Sequence, residues 1–174
     1  MRPSIVISAA ALAVLASRTA QSEEGKVKAE HAELHVPGPL EWETGTDRIK
    51  SGSETVLIFL TEYLRARPEV TKLRIETHAA TEADGGANQR LSEKRALFIA
   101  RWLLAHGIDC KRLVAVAFGD TKPGPADPSA RDAFFKNNRS VFINVEIRGK
   151  PLNPAAPENG GGKPVVDLCQ IKPI

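Results

Sequence analysis

Two long segments whose apolar residues recur at helical spacing, each followed by a short strand-like run, constrain this chain more than any other feature. In residues 51–67, Val56, Leu57, Phe59, Leu60 and Leu64 fall on one helix face. Ser51 and Ser53 are candidate N-caps, and Pro68 ends the segment. In residues 88–106 the apolar stripe is Leu91, Phe98, Ile99, Trp102 and Leu103, with Gly107 at the C′ position and His106 complementing the helix C-terminus. After the first helix, residues 72–77 alternate, with Leu73, Ile75 and Thr77 on one face of a strand. After the second, residues 113–118 are apolar throughout and read as a central strand. Residues 140–148 alternate again: Val141, Ile143, Val145 and Ile147 are expected to face the core, Asn144, Glu146 and Arg148 away from it. Residues 33–42 alternate weakly, carry Pro37 and Pro39, and put Leu40 and Trp42 on one side of a short strand. The order β-α-β-α-β-β predicts an α+β fold, a two-layer sandwich with the helices packed on one face of a small mixed sheet.

At 174 residues the chain is long enough for one domain and one core. Aromatics make up 5%, so that core is expected to be aliphatic. The net charge of +3, without a dense Lys/Arg face interleaved with aromatics, gives no case for nucleic acid. The N-terminus reads as a secretory leader over residues 1–20, with Arg2 as the positive region and small residues around Val14-Leu15-Ala16 for cleavage. Its apolar run of about 12 residues is short of the roughly 20 that span a bilayer, so no transmembrane span is expected in the mature chain. An uncleaved anchor is the alternative, and no Cys lies near the cut to take a lipid. Residues 21–32 read as a polar linker, 33–149 as the domain and 150–174 as an irregular tail rich in Pro, Gly and Asn. Residues 119–132 are expected to form a long loop, with a helical turn near 129–135.

The two cysteines, Cys110 and Cys169, suggest one disulfide in an oxidising compartment. It would staple the tail to the domain and contribute roughly 3–4 kcal/mol in the chain-entropy model. Two free thiols are the alternative. No paired Cys/His spacing points to a metal, and His31 with His35 is not read as one, so no metal or cofactor is expected. Gly160-Gly161-Gly162-Lys163 runs into Pro164 and lacks the Ser/Thr of a phosphate loop. Cys110 has no arrangement that would activate it as a nucleophile, and no catalysis is expected.

The string Ile75-Glu76-Thr77-His78-Ala79-Ala80 followed by Asn88-Gln89-Arg90-Leu91-Ser92-Glu93-Lys94-Arg95-Ala96 resembles the core signature of OmpA C-terminal-like domains, the OmpA, Pal and MotB group. The family form is a strand ending in Gly-His-Thr-Asp, a loop, and Asn-x-x-Leu-Ser-x-x-Arg-Ala opening a helix. Ala105-His106-Gly107-Ile108, Phe118-Gly119-Asp120-Thr121-Lys122-Pro123 and Asn138-Arg139-Ser140-Val141 resemble the later family segments in the correct order, so the likeness runs over residues 34–148. The resemblance implies a non-catalytic module of the periplasm or cell envelope that binds peptidoglycan through the free amino-acid end of diaminopimelate. That end is a zwitterion, so it requires a fixed cation and a fixed anion; Arg suits the carboxylate because its planar fork pairs bidentately. Arg95 stands at the cation's position, Asn88 at that of a ligand-binding loop Asn, and Asn138 and Arg139 at those of a pair lining the pocket.

One departure stands out. Counted back from Arg95, the family's ammonium-binding Asp falls on Ala80, its Thr on Ala79 and its Gly on Thr77, and only His78 of the four is kept. A lost charge-assisted hydrogen bond costs about 1.5–3 kcal/mol. Glu82 and Asp84, in the same loop, are the candidate substitutes. Blander roles stay open: Arg95 pairing with a helix acid, Asn88 as an N-cap, His78 as a structural histidine, Asn138 as a turn residue. For the whole chain the alternative is a structural or protein-interaction module that keeps the fold, has lost the ligand and meets an envelope protein partner.

Overall fold

The computed structural model describes residues 32–80, 84–121 and 138–172. The expected leader, most of the linker, Glu82, most of the 119–132 loop and the helical turn near 129–135 lie outside the described residues. Helix α1 (Glu54–Ala66) and helix α2 (Gly85–Ala105) stand with five strands: β1 (Val70–His78), β2 (Leu113–Gly119), β3 (Ser140–Ile147), β4 (Lys150–Pro151) and β5 (Lys163–Pro164). The sheet order is β4-β3-β1-β2-β5. β1 and β2 run parallel through the α2 crossover, and β3 lies antiparallel to β1. This is the α+β arrangement expected, with one reduction. Residues 33–42 form no strand, only single bridges, Glu33 to Ile143 and Trp42 to Ile49. Pro37 and Pro39 interrupt the alternation, and a proline has no N–H for the ladder.

Both helices lie on one face and enclose an aliphatic core of Val56, Leu57, Leu60, Leu64, Leu73, Ile75, Ile99, Leu103 and Phe142, closed at one side by Leu40 and Trp42. Ser53 occupies the N-cap of α1 but makes no side-chain cap bond. Its hydroxyl instead accepts from the Glu41 N–H (3.0 Å) and donates to the Glu41 carbonyl (3.3 Å), tying the helix start to the preceding turn. α2 ends as anticipated. Gly107 adopts φ +82°, Ile108 N donates to Leu103 O (3.0 Å), and His106 stacks on Trp102. Among the described residues no helix is long and apolar enough to cross a membrane.

β3 corrects the expected facing. Phe142, 1% exposed, pairs in register with the core residue Ile75, and Asn144 pairs with Leu73 and donates to the Tyr63 hydroxyl (2.7 Å). Val141 and Ile143 pair instead with Glu76 and Arg74, on the opposite face. The reason is physical. The outer face is covered too, so apolar residues point both ways and alternation cannot say which side holds the helices. The cover is the C-terminal tail, which is more ordered than its composition suggested. β4 and β5 border the sheet, Leu168 is buried in the core, and a disulfide joins Cys110 to Cys169 across 59 residues.

Candidate functional site

Helix α2 begins at Gly85, three residues before the expected start, with Asp84 as its N-cap: the Asp84 Oδ1 accepts from Ala87 N at 2.7 Å. Its buried stripe is Asn88, Ser92, Arg95, Ala96, Ile99, Ala100 and Leu103, while Leu91, Phe98 and Trp102 are only half-buried. The C-terminal half of that stripe is apolar and packs the core. The N-terminal half is polar, and it points at the end of the sheet where β1 and β2 finish. Gly119 ends β2 at φ +52° against this helix; a Cβ there would stand 3.0 Å from the Gln89 backbone nitrogen, so glycine permits the contact. Ser92 fixes it, accepting from Gly119 N (2.9 Å) through its hydroxyl and from the Thr77 hydroxyl (2.7 Å) through its carbonyl.

Arg95 is 0% exposed. Nε donates to Thr46 O (2.8 Å), Nη1 to Asn138 Oδ1 (3.0 Å), and Nη2 to Glu43 O at a long 3.5 Å. Its guanidinium lies over the Trp42 ring, 5.0 Å from the centroid. Trp42 is held by Ser140 Oγ (3.3 Å) and by an edge contact with Phe98. All three hydrogen-bond acceptors are neutral. Among the described residues no carboxylate lies within ion-pairing distance of Arg95. Burial pushes its pKa down from the ordinary arginine value to about 10, with the charge of Asp47 opposing. Asn138, held at φ +34°, shares its Oδ1 between Arg95 and the Ala80 N–H (3.1 Å). Arg95, Asn138 and Ala80 therefore meet at one point.

The other sequence candidates are distributed around it. Asn88 is 1% exposed and donates from Nδ2 to Asp120 Oδ2 (3.1 Å), an acid the residue pattern did not single out. Asp84 has one carboxylate oxygen engaged in capping α2. His78 and Arg139 stand apart from Arg95. His78 follows Thr77 along β1, so it points to the outer face, where it stacks on Phe118 with ring centroids 5.0 Å apart and lies 3.8 Å from Glu76 Oε2. The Arg139 carbonyl accepts from His78 N (2.9 Å). The Arg139 pKa is lowered chiefly by burial, with Glu33 and Glu76 partly restoring it. Ser92, Thr46 and Glu43 were missed as parts of the site. A polar run at positions 88, 92 and 95 of a helix stripe would have flagged Ser92, whereas the two carbonyls carry no sequence signal.

The fold and this end of the sheet define a class. The family model described as "OmpA family" matches residues 42–138, more than half of the 174 residues, and the chain belongs to that family. Among particular relatives, it is 28% identical over 141 residues to the outer-membrane lipoprotein YfiB of Pseudomonas aeruginosa, covering 81% of this chain and 80% of that one. The solved OmpA-like domain of FopA1 from Francisella tularensis superposes with TM-score 0.50 at 14% identity, over 62% of this chain and 71% of that one. The peptidoglycan-associated lipoprotein from Burkholderia pseudomallei gives 0.50 at 20% identity, over 60% and 86%. The C-terminal domain of Helicobacter pylori MotB gives 0.50 at 19%, over 61% and 82%.

Proposed function

We propose that this is a non-catalytic protein of the periplasm or cell envelope that binds the peptide stem of peptidoglycan, with Arg95 as the receptor for the diaminopimelate carboxylate. The observation that carries the reading is the electrostatic state of Arg95. A buried guanidinium hydrogen-bonded only by neutral acceptors, with Asp47 acting on it at longer range, has surrendered hydration without a directly paired counter-charge, and an arriving carboxylate supplies one. Its three hydrogen bonds use three of its five N–H donors, and the 3.5 Å contact to Glu43 O is the weakest. A ligand carboxylate reaches the fork by displacing that carbonyl, so binding requires the 43–47 turn to give way. Asn138, already bridging Arg95 and the Ala80 amide, orients the incoming group. Family membership supports the ligand class, as does the name of the peptidoglycan-associated relative.

The Asp position of the family signature is Ala80 in this reading, and the affinity is correspondingly weak. Co-sedimentation with purified peptidoglycan sacculi tests the proposal: wild type is expected in the pellet, Arg95→Ala in the supernatant, and Ala80→Asp more completely pelleted than wild type. Wild type and Arg95→Ala remaining equally in the supernatant would remove the proposal. The complete burial of Arg95 favours a second reading, a protein-interaction module that keeps the fold without the ligand, and that same result would select it.

A further inference from the structure

The outer face of the sheet carries a row of charge that the ligand site does not use. Arg74, Glu76 and His78 alternate along β1 and are 9%, 0% and 3% exposed. Arg74 Nε donates to Glu76 Oε1 (2.8 Å), and Glu76 Oε2 lies 3.8 Å from His78 Nε2. The row is kept dry by the tail. Arg74 Nη1 donates to Glu158 O (3.0 Å), Gly160 lies against the Arg74 guanidinium, and Gly162 lies against the Phe118 ring that stacks on His78. A Cβ at Gly160 would come within 2.7 Å of Arg74 Cζ, and one at Gly162 within 2.7 Å of the Phe118 ring, so the glycine run is what lets the tail lie flat.

The cover is thin and partly lifted. Residues 153–158 are exposed. A cleft of about 510 Å³ separates them from the sheet, lined by Arg74, Ile143, Val145, Leu152, Pro154 and Glu158 among others. The Lys72–Glu158 ion pair that ties it down is half exposed on the Glu side, and such pairs hold little. β5 contributes two residues of ladder. What fixes the far end is Leu168 and the adjoining Cys110–Cys169 bond, whose Cys169 is exposed to solvent reductant.

At its other end the row is linked to the Arg95 site through the backbone. The Arg139 carbonyl accepts from the His78 amide at 2.9 Å. The adjacent Asn138 holds both Arg95 and the Ala80 amide.

We propose that the tail is a redox-latched strap: reducing Cys110–Cys169 releases it from the charged row, and this loosens Asn138 and thereby the Arg95 site. The step is ordinary thiol–disulfide exchange with a dithiol donor. The S–S bond breaks, each sulfur gains one electron and one proton, and the donor leaves as its own disulfide. The coupling runs through two discrete arrangements of the strap, seated and lifted. It is read without any ligand, so its failure is separate from failure of the peptidoglycan reading.

Amide hydrogen exchange on the full chain, oxidised and then reduced, provides the test. Val165 N, bonded to Ala115 O, reports the strap; His78 N and Ala80 N report the site end; Ile99 and Leu103 report the interior of α2. Local opening is expected to speed Val165, His78 and Ala80 by about tenfold or more on reduction while α2 is unchanged. An unchanged Val165, a faster Val165 with unchanged His78 and Ala80, or a rise across α2 as well would each overturn the proposal. Oxidised Gly160→Ala lifts the strap from Arg74 with the disulfide intact. It is expected to speed His78 and Ala80 too, and wild-type exchange at both would overturn the role of the row.

Discussion

At Arg95 the fold holds a cation in a position that an aliphatic side chain would fill without desolvating a charge. Its partners come from two separate segments: residues 42–46 and Asn138. Arg95→Lys keeps the charge but offers a single point donor in place of a planar fork. We expect it to lose about 1.5–3 kcal/mol of stability, measured by urea unfolding, because hydrogen bonds to a charged donor are lost inside the protein. Glu93 gives a pH test. The Lys163 ammonium, hydrogen-bonded at 2.6 Å, holds the Glu93 carboxyl below its ordinary 4.5, with desolvation opposing. The folded value lies below the unfolded one, so the contribution is complete above about 4.5 and is lost as pH falls through the lowered value. Lys163 is 64% exposed, which limits the pair to under about 1 kcal/mol. Wild type is expected to exceed Glu93→Gln in melting temperature near neutral pH, and the difference is expected to vanish in acid. The signature string singled out Arg95 in the sequence. The guanidinium's neutral acceptors were not legible there, because Thr46 O and Glu43 O lie 49 and 52 residues away and any residue type supplies a carbonyl.

At the scale of elements, the two helices and three main strands were legible because periodicity and local breakers set them. The facing of β3 was not. With helices on one side and the tail on the other, both faces of the strand are partly apolar, and register alone decides which one meets the core. The observed register makes a quantitative claim. Phe142→Ala is expected to cost about 3–5 kcal/mol in equilibrium unfolding, as for a fully buried ring, and Ile143→Ala distinctly less, since Ile143 is only partly buried under the tail. Equal losses, or the reverse order, would contradict the facing described. The stripe of α2 shows the same limit from the other side. Helical spacing located the element, but burial of Asn88, Ser92 and Arg95 follows from their partners on other segments, and hydrophobicity patterns score polar residues as solvent-facing.

At the scale of the molecule, the described residues form three layers: helices, sheet and a covalently fastened tail. The tail read as irregular from its Pro and Gly content, and most of it has no regular structure. Its ordering comes from one disulfide, a few apolar anchors and glycines whose missing side chains allow close approach, features that composition averages away. The Arg95 cluster sits where the parallel strands β1 and β2 finish beside the start of α2, and the family signature spans those three elements. The signature string also contains Glu76 and His78, but their alignment with Arg74 beneath the tail carries no sequence signal. The most direct test of Arg95 as a carboxylate receptor is an NMR titration of the protein with a diaminopimelate-containing stem peptide, following the Arg95 Nε–H and Ala80 amide resonances. The account predicts that both shift together and saturate, with the Nε–H slowed in exchange. Resonances that stay unmoved at peptide concentrations saturating any other site would contradict it.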